Sequence, residues 1–229
     1  IGLAIALAFA EEGAKVAICG RDRSALDKAR LAIAAHGGQV EAFVTDLFTA
    51  EGCAKVVGDA AAALGCLDIL ISNASTNISG KLETLSDDAL MERVMGKTLA
   101  TMRCARAALP HLRISGQGRI ICIGGTSART PAARSLPSGL GNSSLVNFAK
   151  HFSIDTAPDG ITVNVVHPPF TRTDRYNDRL KAKAELLGST QEEAEAAFIS
   201  AFPIGRLGEA SDIATLVGFL GSPQAGAVY

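Results

Sequence analysis

The chain has 229 residues, of which 48% are hydrophobic and 20% charged, with a net charge of -1. That length and balance suit one α/β domain with a single large core. They leave no electrostatic case for nucleic acid or an anionic membrane as partner, and no apolar run reaches the roughly 18 residues of a membrane span. In chain order, residues 2–12 read as an apolar helix stopped by Gly13, and residues 15–19 as a short strand. Residues 24–36 have helical spacing through Leu26, Ala29 and Ile33 and close on Gly37-Gly38, as C-cap glycines do. Residues 40–45 are β-branched and aromatic, hence strand, 49–64 an Ala-rich helix ending at Gly65, and 67–71 a buried strand. A long helix is predicted over 86–112, a strand over 118–123, a helix over 140–156 and a strand over 161–166. After that the chain turns polar. The segment 170–203 has one clear helix start, a capping box at Ser189-Thr190-Gln191-Glu192, and the last helix spans 209–220.

The strands are short continuous apolar runs, which burial on both faces of a parallel sheet produces. Strands separated by helices imply right-handed crossovers and a doubly wound, Rossmann-type parallel sheet with helices on both faces. The whole of 1–229 reads as one domain. Ligands of such sheets bind beyond the strand C-termini, so functional residues are expected just after each strand. The segment 170–203 lies over that edge and is expected to be a substrate lid.

The five cysteines (Cys19, Cys53, Cys66, Cys104, Cys122) are odd in number and at least 13 residues apart. Reduced thiols and a cytoplasmic location are the expectation. No His, Cys or acidic set has metal-ligand spacing, so no metal site is predicted. His36 and His111 lie at helix ends, His151 on a helix surface, and His167 at the end of the last strand.

Gly2 opens the first helix, where a glycine lets the helix N-terminus approach a pyrophosphate. The strand and Gly-rich turn that would complete this signal are expected before residue 1. Gly20-Arg21 follows the 15–19 strand, where an acidic residue would bind the ribose 2′-hydroxyl of NAD. An Arg there suits a 2′-phosphate, hence NADP(H) over NAD(H); the alternative is a solvated Arg beside Asp22. Asp46 and Leu47 end the next strand, where they could hold an adenine edge. Asn73-Ala74-Ser75 ends the one after, and Pro168-Pro169-Phe170-Thr171-Arg172-Thr173 ends the last. Each alone could be an ordinary turn; their succession is the signal.

The whole chain resembles the short-chain dehydrogenase/reductase family. The resemblance rests on Ser72-Asn73-Ala74-Ser75, on the Gly-Arg-Ile-Ile strand at Gly118 and on the Ile-Thr-Val-Asn strand at Ile161. It also rests on the Pro-Gly-x-x-x-Thr-like stretch from Pro168 to Thr173, and on Gly205-Arg206-Leu207-Gly208-Glu209 before the final helix. It implies a nicotinamide cofactor bound along Gly2, Gly20, Arg21, Asp46, Leu47, Asn73, Ala74, Ser75, Pro168, Thr171 and Thr173. It also implies a small-molecule carbonyl or alcohol substrate, and a homodimer or homotetramer built on the helices at 86–112 and 140–156.

Family members pair a Tyr acid/base with a Lys four residues later, which lowers its pKa, a carbonyl-polarising Ser, and a helix Asn that anchors a water. Here the register set by Ser144 places Asn142 at the Lys position, Ser138 at the Tyr, Gly125 at the Ser and Lys97 at the Asn. No Tyr exists between residues 77 and 175. Two cofactor-motif glycines are likewise replaced, by Ser75 and Pro169. Lys97 and Asn142 look like an exchange of the family's Asn and Lys. Lys97 then either fills the cation's role or is itself a proton donor with a depressed pKa; the alternative is that it points into solvent or pairs loosely with Glu92. Ser138, Thr126 and Ser127 are candidate donors to a carbonyl. Three functions follow: an oxidoreductase with an atypical site, a non-catalytic nucleotide or small-molecule binder, or a lyase or isomerase reusing the pocket.

Overall fold

Alternation of apolar β-branched runs with capped helices produces the expected layered architecture in the computed structural model, which describes residues 1–76, 78–200 and 202–229. Residue 201 of the expected lid lies outside the described residues. The order begins α1 (Gly2–Glu11), β1 (Val16–Gly20), α2 (Arg23–Ala35), β2 (Val40–Val44), α3 (Ala50–Leu64) and β3 (Ile69–Ser72). There follow α4 (Asp87–Val94), α5 (Ala100–Ser115), β4 (Arg119–Ile123), α6 (Leu136–Thr156) and β5 (Thr162–Val166). The chain ends with α7 (Asp174–Leu187), α8 (Gln191–Ile199) and α9 (Ala210–Gly221). All pairing between these strands is parallel: β1 with β2, and separately β3-β4-β5. No described helix is long and apolar enough to cross a membrane.

The period-2 geometry of a strand explains the two core layers. In β4, whose five residues are all buried, Ile120 and Cys122 join Cys53 and Val57 of α3, Ala105 and Ala108 of α5, and Leu145 and Ala149 of α6. The intervening Ile121 and Ile123 join Ile5 of α1 and Val217 and Leu220 of α9. Ile120 and Ile121 have no exposed surface, so truncating either to Ala costs about 2–5 kcal/mol. Side-chain caps define the helix starts: Asp22 accepts from Ser24 N at 2.8 Å and Thr49 from Gly52 N at 2.9 Å. Left-handed glycines end others, among them Gly65 at φ 83° and Gly116 at φ 70°.

Several boundaries differ from the expectation. The helix predicted over 86–112 is α4 and α5 joined by a wide π-type turn, Met95–Leu99, and it runs on to Ser115. α6 begins at Leu136 rather than 140, because Pro137 fits a helix's first turn. The capping box is Thr190 with Glu193, one residue later than predicted: Thr190 Oγ1 accepts from Glu193 N at 3.2 Å and Glu193 Oε2 accepts from Thr190 N at 2.9 Å. The polar segment 170–203 holds two helices, α7 and α8, around an apolar cluster of Tyr176, Leu180, Ala184, Ala194 and Leu207.

Candidate active site

The C-terminal ends of β1 to β5 carry the candidates, and local chemistry fixes each. At the start of α1, a Cβ on Gly2 would lie 2.7 Å from Asn73 Nδ2. Glycine lets this helix end sit against the turn after β3 without displacing the Asn73 amide. Gly20 closes β1, its carbonyl accepting from Thr45 N at 2.9 Å. Arg21 is exposed, with its guanidinium carbon 5.7 Å from the centre of the Phe48 ring. The backbone of Phe48 is fixed in turn, since Arg103 Nη1 donates to its carbonyl at 2.6 Å. Asp46 Oδ1 accepts from Phe48 N at 3.0 Å and shapes the turn, while the Leu47 side chain packs against the main core.

After β3 the chain is anchored by Arg93, a residue sequence reasoning did not select. Buried in α4, it donates to Ser75 Oγ at 2.5 Å and also to the Thr76 carbonyl. It precedes Lys97 by four residues, one helical turn, so the shared face was a readable signal.

Lys97 lies in the π-type turn and is 4% exposed. Its Nζ donates to the carbonyl of Ile123, the last residue of β4, at 2.7 Å. The alternative of a lysine pointing into solvent is therefore corrected: the wide turn carries the side chain inward. Its neighbour Thr98 donates to the Gly141 carbonyl at 3.0 Å and lies 2.7 Å from Ser144 Oγ, which docks this turn on α6. π-type turns in helices concentrate at functional sites.

On α6, Asn142 is 4% exposed and its Nδ2 donates to Ser127 Oγ at 2.9 Å. Its Oδ1 is buried with no hydrogen-bond partner among the described residues. Gly125 faces the same amide, because a Cβ there would come within 2.6 Å of Asn142 Nδ2. Ser138 is half-buried one turn earlier on α6. His167, after β5, has Nδ1 at 2.9 Å from the Gly125 carbonyl and 3.2 Å from Gly125 N. Either tautomer thus has a partner, and the imidazole braces the turn after β4. Cys122 beneath it has its thiol pushed up to about 12 by burial, against the opposing charge of Lys97.

The turn after β5 is pinned to the start of α9. Arg172 N donates to the Gly208 carbonyl at 2.8 Å, and Gly208 N to the Phe170 carbonyl at 2.9 Å. Thr171 Oγ1 donates to the Pro169 carbonyl at 2.9 Å, and Thr173 caps α7 by accepting from Tyr176 N at 3.4 Å. Pro168 is half-buried in this turn. Tyr176, the one tyrosine away from the terminus, is buried in the α7–α8 cluster with its hydroxyl donating to Glu195 at 3.2 Å. Burial first, then the Glu195 charge, raises its pKa. Its hydroxyl is thus sequestered in the hairpin. Beside Ser127 opens a cavity of about 430 Å³ between the residues before α4, the loop after β4 and the first turns of α6.

Known proteins are similar to this chain along its whole length. The family model described as "Enoyl-(Acyl carrier protein) reductase" matches residues 1–229. An NADPH-dependent reductase of Bacillus subtilis, BacG, is 28% identical over 98% of this chain and 88% of its own length. The mouse dehydrogenase/reductase SDR family member 4 is 29% identical over 98% of this chain and 78% of its own. The structure of L-sorbose reductase from Gluconobacter frateurii, complexed with NADPH and L-sorbose, superposes with a TM-score of 0.94 at 26% identity, covering 99% of this chain and 87% of that one. Strand-end turns, layer order and full-length similarity converge: this chain belongs to the short-chain dehydrogenase/reductase family.

Proposed function

We propose that the chain is an NADPH-preferring oxidoreductase that reduces a small carbonyl compound through Lys97, Ser127 and Asn142 instead of the family's Tyr and Lys. The observation that carries this reading is that two buried polar side chains, from opposite helices, converge on the turn after β4: Lys97 Nζ on Ile123 O at 2.7 Å and Asn142 Nδ2 on Ser127 Oγ at 2.9 Å. The lone acceptor Asn142 Oδ1 is what a ribose hydroxyl donor would satisfy, so the residues present fit a nicotinamide nucleotide. Arg21, exposed and stacked on Phe48, would meet a 2′-phosphate. The cofactor-facing set remains Gly2, Gly20, Arg21, Asp46, Leu47, Asn73, Ala74, Ser75, Pro168, Thr171 and Thr173. The NADPH dependence named for the Bacillus reductase and the NADPH in the sorbose reductase structure support the choice.

When bound, the cofactor supplies a hydride to the carbonyl carbon. The protein's part is at the oxygen. Because Ser127 Oγ accepts from Asn142, its own proton is directed to the cavity, where it donates to the carbonyl oxygen. The positive charge of Lys97 behind β4 favours negative charge developing there. The proton completing the alcohol enters from solvent through the open cavity. Ser138, one turn before Asn142, is a second hydroxyl on this wall. Residues 170–203 act as the lid. We further propose a homodimer or homotetramer packed through α4–α5 and α6, which light scattering after size exclusion would test.

Calorimetric titration with NADPH and NADH, then NADPH oxidation against a panel of ketones and quinones, tests the reading. NADPH is expected to bind more tightly, and Arg21→Glu to reverse the preference. Lys97→Met should lower turnover about 10²–10⁴-fold and Ser127→Ala about 10²-fold, both with NADPH affinity retained. Binding of neither nucleotide, or unchanged turnover in Lys97→Met, would overturn it. NADPH binding without turnover on any carbonyl would favour a non-catalytic nucleotide binder.

A further inference from the structure

The cavity beside Ser127 has a charge pattern of its own. Its wall includes Lys81, Leu82, Ser127, Arg134, Leu140 and Ser143, and among the described residues no aspartate or glutamate lines it. Glu83 lies 3.7 Å from Lys81, but both side chains are about two-thirds exposed. A pair that loose and wet holds its ammonium weakly.

Arg134 is the second cation, and its backbone is unusual. At φ 63° it is the one non-glycine at positive φ among the described residues. An arginine gains nothing locally from that conformation, which suits glycine or asparagine. Surrounding bonds impose it: Gly80 N donates to the Arg134 carbonyl at 3.0 Å, and the next residue, Ser135, closes a loop on Ala132 with bonds of 2.9 and 2.6 Å. Strain kept at a cavity wall points to use of the side chain held there.

The wider sequence has the same sign. Between Glu92 and Asp155 there is no acidic residue, while nine lysines and arginines occur, in a chain whose net charge is -1. The loop after β4 and all of α6 but its last two residues fall within that stretch. The loop that walls the cavity thus carries two cations, Arg129 and Arg134, and no acid.

We infer that this cavity binds the anionic end of the substrate, a carbonyl compound carrying a carboxylate or a phosphate, with Lys81 and Arg134 as its ion-pairing groups. A volume of about 430 Å³ suits a small organic acid or phosphate ester. The inference rests on the reductase reading, since Ser127 would meet the carbonyl at the same wall.

The test uses the full chain with saturating NADPH and unreactive probes, so it does not depend on turnover. Glutarate, inorganic phosphate and the neutral glutaramide are titrated calorimetrically into the wild type, the Lys81→Gln/Arg134→Gln double variant and Arg134→Gly. One anion, glutarate or phosphate, should bind and thereby identify the class, with glutaramide at least tenfold weaker. The double variant should weaken that anion at least tenfold and leave NADPH affinity within about twofold. Arg134→Gly should melt at the wild-type temperature or higher, because the strain is relieved, yet lose anion affinity. Equal binding of glutaramide, anion affinity unchanged in the double variant, or binding of neither anion would overturn the inference. Failure of NADPH itself to bind would instead refute the reductase reading.

Discussion

Gly125→Ala measures how tightly the altered site is packed. Gly125 has φ -174°, extended backbone that alanine adopts freely, so the cost falls on contact alone. The new Cβ would lie 2.6 Å from Asn142 Nδ2, about 0.8 Å inside the 3.4 Å at which ordinary contact begins. Asn142 is 4% exposed and tethered to Ser127 at 2.9 Å. Yielding by that amount stretches the bond beyond useful range, a loss of about 1 kcal/mol, and overpacking adds about 1–3 kcal/mol. The expected destabilisation is about 2–4 kcal/mol, or roughly 5–15 °C in Tm for a chain of this size. Adding Asn142→Ala removes the obstructing amide together with its unpartnered Oδ1. The double variant should therefore recover at least about 1.5 kcal/mol relative to Gly125→Ala, a coupling that urea unfolding of all four proteins measures. Additivity within about 0.5 kcal/mol would refute the claim that these two positions share one space.

Arg93→Met removes the donor that holds Ser75 and Thr76, leaving a buried carbonyl without that bond; a loss of about 2–4 kcal/mol in urea unfolding is expected, together with weaker NADPH binding, and a variant as stable as wild type would contradict the anchoring role. The raised Tyr176 pKa gives a pH signature. The folded hydroxyl keeps its proton at pH values where the unfolded chain has lost it, so its stabilising contribution is full below about pH 10 and lost as pH rises through the folded value. The stability gap between wild type and Tyr176→Phe should be flat from pH 7 to 9 and shrink above about 10; a gap that stays constant to pH 11.5 would argue against a buried, protonated hydroxyl. Cys53, Cys104 and Cys122 are buried and Cys19 and Cys66 exposed. Ellman's reagent should thus modify two thiols in the folded chain and five in guanidinium, with Cys66 slowed by its bond to Asp68 at 3.3 Å. A third rapidly reacting thiol would show that the core opens.

Much of the scaffold was legible because its elements are locally encoded. Apolar runs such as Ile120–Ile123 cannot be exposed, and Gly65 or Asp22 punctuate helices by their own chemistry. The π-type turn at Met95–Leu99 was not, since one extra residue in a turn leaves the apolar spacing of 86–112 almost unchanged. Pro137, Gly139 and Gly141 read as helix breakers, yet proline belongs in a first turn, and that hid the start of α6. At the site, the positions of Lys97 and Asn142 followed from family register. Their inward orientation did not, because a charged residue on a polar helix face carries no burial signal. Arg93 could be read only as lying one turn before Lys97; its bonds to Ser75 and Thr76, 18 and 17 residues back, and the pairing of Lys81 with Arg134 around one cavity are tertiary contacts that no local pattern reveals.

One surface contact sets how firmly the α7–α8 hairpin is moored. Arg172 reaches Glu195 of α8 at 2.6 Å and Glu209 at the head of α9 at 3.1 Å, and it is 43% exposed. The hairpin has its own apolar centre, and this double clasp joins it to the turn after β5 and to the head of α9. Exposed ion pairs weaken as dissolved salt screens them. In the lid role proposed above, the hairpin would thus open more readily as ionic strength rises, a control on substrate access that touches no residue at the reacting centre.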